Sequence, residues 1–362
     1  MCARVAIVYN EPLNSRYDAR GEQTAVIGVL DAVEAVHHAL LELGYEAVRL
    51  PLAPPLRQAK KRLGELEADL VFNLFEGFGG YPETEAEMAD ILSALGIPYT
   101  GCPAGALKLA LDKAKAKAIL RTAGIKTPDF QLLKPETLSS FRLSYPCIVK
   151  PCREDASHGL SPESVVYDFA SLGKQVANVS NFYGGQALVE HFINGREFNV
   201  TVLGNNSYTA LPISEIDYSL PQGVPPILTF DAKWQPNSLC FQGTKVVCPA
   251  EIGTRERERI ARTALNAFRL LGCRGYARVD MRQDEAGRLN VIEVNPNPDI
   301  SPGSGAVRQA EAAGMAYPQF IEKILQLALE KENDDGQDTP DGEKGQASPD
   351  ENTAGYPRVQ AG

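Results

Sequence analysis

The stretch Gly275-Tyr-Ala-Arg-Val-Asp-Met, followed after a short turn by Asn290-Val-Ile-Glu-Val-Asn-Pro-Asn-Pro, concentrates reactive groups on a few positions. Side chains alternate faces along a strand, so Arg278 and Asp280 share one face and Ala277, Val279 and Met281 take the other. On the returning strand Glu293 and Asn295 lie opposite Ile292 and Val294. With both apolar faces set on a core, the remaining face gathers two carboxylates, an amide oxygen and a guanidinium. Such an oxygen set suits Mg²⁺, which keeps several waters and leans on a few carboxylates plus nucleotide phosphates. A solvated, salt-bridged hairpin has the same pattern, and these two strands alone do not separate the readings.

Two further segments supply groups of the same kind. Ala187-Leu-Val-Glu-His-Phe-Ile-Asn-Gly-Arg-Glu-Phe-Asn-Val contains Asn194-Gly195, a strong short-range hairpin signal. A two-residue turn there pairs Phe192 with Glu197 and Glu190 with Asn199, gathering Glu190, Phe192, Glu197 and Asn199 on one face. Carboxylates beside an aromatic ring could accept from a purine amino group and a ribose; an exposed polar face around one buried Phe fits equally. Lys150 closes an apolar strand over 145–150, where burial drives its ammonium toward a cleft or an anion. The polar loop 152–161 then offers Ser157, His158 and Gly159, whose backbone N–H groups could close over phosphates. Lys113 opens the helical run Leu111-Asp-Lys-Ala-Lys-Ala-Lys, where lysines are usually solubilising.

These residues require a scaffold, and strands and helices alternate ahead of them. Residues 4–9 read as a β-branched strand, 24–43 as an apolar-periodic helix stopped by Gly44, and 69–74 as a buried parallel strand. Residues 83–95 read as a helix stopped by Gly96, and 97–100 as a short strand. This βαβ alternation implies a doubly wound α/β domain over 1–104. Hairpins at 186–203 and 275–295, with the amphipathic helix 254–271 between them, imply an α+β region with antiparallel sheets over 105–330. That region divides into a central part, 105–190, and a C-terminal part, 191–330. Beyond it, 331–362 holds eight acidic and three basic residues and almost nothing apolar, the composition of a disordered acidic tail.

Across 362 residues, 36 basic and 46 acidic side chains give a net charge of −10. An acidic balance without a basic tract disfavours nucleic acid and anionic membranes, so neither is expected as a partner. No run of eighteen apolar residues occurs, so no transmembrane helix is expected, and the first residues read as a strand rather than a leader. Seven scattered cysteines form no disulfide framework and four histidines no ligand pattern, which points to a reducing, cytoplasmic setting.

Taken in order, the chain resembles the ATP-grasp ligases, and among them the D-alanine–D-alanine ligase family, over roughly 69–329. The carriers are Val71-Phe-Asn-Leu-Phe-Glu-Gly, Gly96-Ile-Pro-Tyr-Thr-Gly, the Lys113 run, Gly124-Ile-Lys-Thr-Pro, Ile148-Val-Lys-Pro, Leu188-Val-Glu-His-Phe-Ile-Asn-Gly-Arg-Glu, Ala277-Arg-Val-Asp and Ile292-Glu-Val-Asn-Pro. The resemblance implies an N-terminal α/β domain followed by a two-part ATP-grasp domain. It also implies that ATP and Mg²⁺ (or Mn²⁺) are used to join a carboxylate to an amine through an acyl phosphate. Lys113 and Lys150 would hold ATP phosphates under a lid containing Ser157, His158 and Gly159. Glu190 would take the adenine amino group, the Ile193 backbone and Phe192 would flank the ring, and Glu197 would take the ribose. Lys233 would stand by the transferred phosphate, Asp280, Glu293 and Asn295 would bind metal, and Arg278 would face the oxyanion. Relatives act on small amino acids in peptidoglycan biosynthesis, and homodimers are common among them.

Three departures fall on the amino-acid pockets and none on the ATP residues. Glu22 is a loose stand-in for the family's first-strand glutamate, Glu76 replaces a frequent histidine, and Ser301 or Ser304 replaces the serine that meets the second substrate. The substrate pair is therefore left open, between D-alanine twice and a different amino-acid or peptide pair. A catalytically idle ATP-binding scaffold is the rival from another class. A Rossmann dehydrogenase is excluded, since no Gly-x-Gly-x-x-Gly follows the first strand.

Overall fold

The computed structural model describes residues 3–22, 27–330 and 358–360. The first turn of the helix expected at 24–43 and nearly all of the expected acidic tail lie outside the described residues. The chain begins with β1 (Arg4–Asn10), α1 (Val29–Glu42), β2 (Glu46–Leu52), α2 (Leu56–Gly64), β3 (Leu70–Leu74) and α3 (Glu83–Ala94). The three strands form a parallel sheet in the order β2-β1-β3. Alternation along β1 and β3 serves two layers: Val5, Ile7, Leu70 and Phe72 pack toward α1, whereas Ala6, Val8 and Val71 pack toward α2 and α3. Helices thus cover both faces, as a doubly wound unit requires. The strand expected at 97–100 is reduced to one parallel bridge, Val71 to Tyr99. Pro98 offers only its carbonyl, which accepts from Val71 N at 2.8 Å.

Two helices, α4 (Ala104–Leu111) and α5 (Lys113–Thr122), lead into β4 (Phe130–Leu133), β5 (Cys147–Pro151), β6 (Val165–Val166), α6 (Phe169–Tyr183) and β7 (Ala187–His191). These strands make an antiparallel sheet in the order β4-β7-β5-β6. One face is filled by Leu172, Val176 and Val179 of α6. Next come β8 (Glu197–Gly204), β9 (Ser207–Ala210), β10 (Ser214–Tyr218), α7 (Phe230–Trp234), α8 (Leu239–Gln242), β11 (Thr244–Val247) and α9 (Thr254–Leu270). The remainder is β12 (Gly275–Gln283), β13 (Leu289–Pro296), α10 (Gly305–Ala312), α11 (Tyr317–Leu329) and β14 (Arg358–Gln360). The third sheet runs β11-β10-β8-β12-β13, with β9 beside β8 and β14 beside β9. Its apolar face, including Phe198, Val200, Ala277, Val279 and Met281, packs on Ile260, Ala264, Leu265 and Phe268 of α9. The polar face is left for the site.

The hairpin expected at Asn194-Gly195 is not formed. β7 pairs with β4 and β5, while β8 pairs with β10 and β12 in another sheet. The Asn-Gly signal is local, but the neighbouring strands claim both edges first. Gly195 instead passes against Gln283, whose carbonyl oxygen would lie 1.9 Å from a Cβ at that position. Glu190 therefore faces Phe130 and Ile148 in register rather than Asn199.

Gln309 of α10 repairs a gap in the third sheet. The outer edge of β8 is shared, with β10 pairing at Glu197–Asn199 and β9 at Val202–Gly204. Between them the fully buried Gln309 accepts from Thr201 N at 2.7 Å and donates to Asn199 O and Ser214 Oγ at 2.9 Å each. Replacing it by Leu strands three buried polar groups, each costing about 1–3 kcal/mol. A Gln309→Leu chain should therefore unfold at a clearly lower urea concentration; an unchanged midpoint would refute this role.

Candidate active site

The second and third sheets face each other across a cleft of about 830 Å³. One wall carries Ile148, Lys150 and Glu190; the other carries Glu197, Asp280, Arg282 and Glu293. The chain crossing from β7 to β8 lines one end with Phe192 and Ile193, near Ile227. Lys113, Asp155, Ser157, His158 and Lys233 line the cleft as well. The cleft thus has an apolar part suited to a ring and a cationic part suited to phosphates.

Glu190 is the most deeply buried charge in the cleft, at 1 % exposure. Its Oε1 lies 2.7 Å from Lys117 Nζ and its Oε2 lies 2.6 Å from Lys150 Nζ. Burial alone would raise this carboxyl, but the two ammonium groups hold it below its ordinary value. Lys117 is itself pushed down to about 8 by burial, against the pull of Glu190. Glu190 thus meets the anion that a buried Lys150 demands, and it is already engaged by two cations on the face expected for an adenine amino group. Glu197 is likewise engaged: its Oε2 accepts from Tyr218 Oη at 2.8 Å and from Arg282 Nε at 2.9 Å. Arg282 also donates to the Ile193 carbonyl at 2.9 Å and lies over the Phe192 ring, 5.2 Å from its centroid.

The strand pair β12–β13 brings together the four residues that alternation places on one face. Arg278 is opposite Asn295 and Asp280 opposite Glu293. Arg278 grips Asp280 through two bonds of 2.8 and 2.9 Å, and Asn295 Nδ2 donates to Asp280 Oδ2 at 2.9 Å. A bulge after Asp280 releases the Ile292 carbonyl, which Lys117 takes at 2.6 Å. Burial would raise Glu293, but Lys113, Lys150, Lys233 and Arg278 hold it far below its ordinary value. Lys113 Nζ is 3.4 Å from Glu293 Oε2 and also donates to the Glu154 carbonyl. Lys233, on the Thr229-capped helix α7, is lowered by burial and then by Arg278. No carboxylate among the described residues lies within 4.0 Å of its ammonium group.

The loop 152–161 is closed against the N-terminal part of the chain. The His158 ring stacks on Tyr17 at 3.7 Å, and its Nδ1 is 2.9 Å from Glu22 Oε2. Gly159 N donates to Glu22 Oε1 at 3.3 Å, and His158 N donates to the Asp155 carbonyl at 2.9 Å. The backbone donors expected to cover phosphates at these two positions are therefore committed elsewhere, because the loop docks through them. Ser157, at φ 63°, remains on the cleft wall. Tyr17 Oη donates to Glu154 Oε2 at 2.5 Å, and Arg16 pairs with the same carboxylate.

Beyond Arg278, the β3–α3 and β13–α10 connections enclose a second cavity lined by Asn73, Glu76, Glu85, Asn297 and Asp299. Ser301 N donates to Asp299 Oδ1 at 2.8 Å, and Ser304 stands at the N-cap position of α10 with a buried hydroxyl that makes no capping hydrogen bond. Lys117, Arg282, Tyr17 and Asp155 are site residues that the motifs did not single out. Lys117 lies one helical turn beyond Lys113, and Arg282 continues the alternation of Arg278 and Asp280; these two spacings are the available signals.

A Glu190→Ala chain would retain two buried ammonium groups with no anion between them, at a cost of about 3–5 kcal/mol at pH 7. Burial already pushes Lys117 down to about 8, below its unfolded value, so stability recovers as pH rises toward 10. The gap in Tm from the wild-type chain should be large at pH 7 and smaller at pH 9.5. A gap equal at both pH values would contradict the assignment.

The family profile described as D-ala D-ala ligase C-terminus matches residues 119–326. An uncharacterized protein of Sinorhizobium fredii is 36 % identical over 260 residues, spanning 72 % of this chain and 74 % of that protein. A D-alanine–D-alanine ligase of Alcanivorax borkumensis is 32 % identical over 298 residues, spanning 82 % and 88 % respectively. Among solved structures, the D-alanine–D-alanine ligase from Bacillus anthracis complexed with ATP matches with a TM-score of 0.69 and 25 % identity, over 91 % of this chain and 97 % of that one. Two facing antiparallel sheets behind a parallel-sheet unit, with a profile match over more than half the sequence, make one conclusion plain: the chain belongs to the D-alanine–D-alanine ligase family and has the ATP-grasp fold.

Proposed function

We propose that the protein is an ATP-dependent ligase that joins the carboxylate of one small amino acid or peptide to the amine of another in the cytoplasm. The observation that carries this reading is the convergence of Lys113, Lys150, Lys233, Asp280 and Glu293 in one cleft, with Arg278 bonded to Asp280 behind its wall. Phosphoryl transfer needs positioning and charge neutralisation more than a nucleophilic side chain. The first substrate's carboxylate attacks the γ-phosphorus of ATP, releasing ADP and leaving an acyl phosphate. The second substrate's amine then attacks the acyl carbon, and phosphate departs.

Lys113 and Lys150 neutralise phosphate oxygens as the nucleotide enters. Burial and the nearby Arg278 lower Lys233 while Glu293 and Asp280 pull it back, so negative charge developing beside these two cations is stabilised. Arg278, whose Nε and Nη2 are held by Asp280, presents its remaining N–H groups, those on Nη1 among them, to the oxyanion of the tetrahedral intermediate. The docked loop keeps water from the acyl phosphate.

Asp280, Glu293 and Asn295 fit a magnesium or manganese site. Two carboxylates face each other in register, and rotation of the Asn295 amide would turn its oxygen toward them. A metal bound there would neutralise phosphate charge and polarise the transferred group.

The test is phosphate release from Mg-ATP with D-alanine and with a panel of single and paired amino acids. Lys150→Ala and Glu293→Ala chains that retain a native melt should lose turnover by about 10²-fold or more. Full activity in either would remove the mechanism. ATP binding without turnover on any pair would favour an idle nucleotide-binding scaffold instead.

A further inference from the structure

The cavity between the β3–α3 and β13–α10 connections, about 330 Å³ in volume, is unbalanced in charge. Glu76 and Glu85 both line it, with Asp299 on the opposite wall. No ammonium or guanidinium group lies within 4.0 Å of either glutamate among the described residues. Asp299 contributes to the field at Arg278 and at Arg308. The charged neighbours that act on Glu76 are carboxylates, Asp299 and Asp155. Enclosure and these two neighbours push Glu76 up to about 8, and enclosure and Asp155 raise Glu85 as well, against the hydrogen bond it accepts from Asn297 Nδ2 at 3.0 Å.

A second observation points to a ligand. Asn73 is buried at 2 % exposure and lines the same cavity, yet its Nδ2 has no partner, although its Oδ1 accepts from Phe75 N at 3.3 Å. A buried amide donor is rarely left unpaired unless something else occupies the space it faces. The cavity therefore offers one donor for an acceptor oxygen and several carboxylates for positive charge. No group of three or more ligating side chains converges on one point among the described residues, so the arrangement suits an extended organic cation rather than a metal ion. One α-ammonium group would offset one of these carboxylates and leave the rest facing each other.

Resting on the ligase reading above, we propose that one of the two substrates carries a second ammonium group, as a diamino acid does, and that this group seats between Glu76, Glu85 and Asp299. Asn73 then donates to an oxygen of the same substrate. The acidic wall rejects substrates with an anionic side chain and favours a basic one over a neutral one of equal length.

Calorimetric titration of the full-length protein, loaded with Mg²⁺ and a non-hydrolysable ATP analogue, tests this directly. The probes are ornithine and 2,4-diaminobutyrate against norvaline and 2-aminobutyrate, each enantiomer separately. At least one diamino acid should bind about tenfold or more tightly than its neutral counterpart. That preference should largely vanish in Glu76→Gln and in Glu85→Gln chains whose melts are native. Equal affinities in the wild-type chain, or a preference that survives both substitutions, would overturn the proposal. Phosphate release, measured in parallel, reads the ligase assignment separately. Turnover on neutral pairs without a basic preference sinks only the present inference. A basic preference in binding with no turnover on any pair supports the cation site and sinks the ligase reading.

Discussion

Everything in the cleft depends on keeping several cations together in a space that excludes most water. Lys113, Lys117, Lys150, Lys233 and Arg278 approach one another because Glu190, Glu293 and Asp280 stand between them. At low dielectric, neither set is tolerable without the other. The balance is tightest at Lys233, where burial and Arg278 weaken the ammonium against the pull of Glu293 and Asp280. A polyanion entering there gains more than it would from an ordinary surface patch, because the protein has already met the desolvation cost of its cations.

Backbone irregularities supply the geometry that regular strands could not. The bulge after Asp280 keeps Asp280 and Glu293 opposed while freeing the Ile292 carbonyl for Lys117. Lys117 also holds Glu190 on the facing sheet, so one side chain ties α5 to both walls of the cleft. The crossing at 192–196 performs the complementary task. By refusing the hairpin it sends β7 and β8 into separate sheets, and the space between them becomes the cleft.

Local patterns were readable where chemistry and pairing share the same few residues. Arg278, Asp280, Glu293 and Asn295 lie on adjacent strands joined by a short turn, so period-two alternation brought them together before any tertiary information. The Asn194-Gly195 turn failed for the opposite reason: its signal is equally local, but the pairing of β7 and β8 is decided by β4, β5, β10 and β12. Lys117 was marked among alternating lysines and alanines only by its spacing of one helical turn from Lys113, and the burial of that helix face is what separates it from the solvent-facing Lys115. The placement of 152–161 against Tyr17 and Glu22 joins residues about 140 positions apart, beyond the reach of any motif.

That long-range contact has a consequence for how the two halves of the site communicate. His158 is fixed by Glu22 and stacked on Tyr17, while Glu154 is fixed by Arg16 and Tyr17, so the loop cannot leave the cleft without abandoning both. Between these anchors lies Asp155, which lines the nucleotide cleft and also contributes to the field that raises Glu76 and Glu85. In the docked position Asp155 adds negative charge to the acidic cavity and lines the cleft at the same time. One docked loop therefore bears on both the cleft and the acidic cavity, and Asp155 is the residue through which it does so.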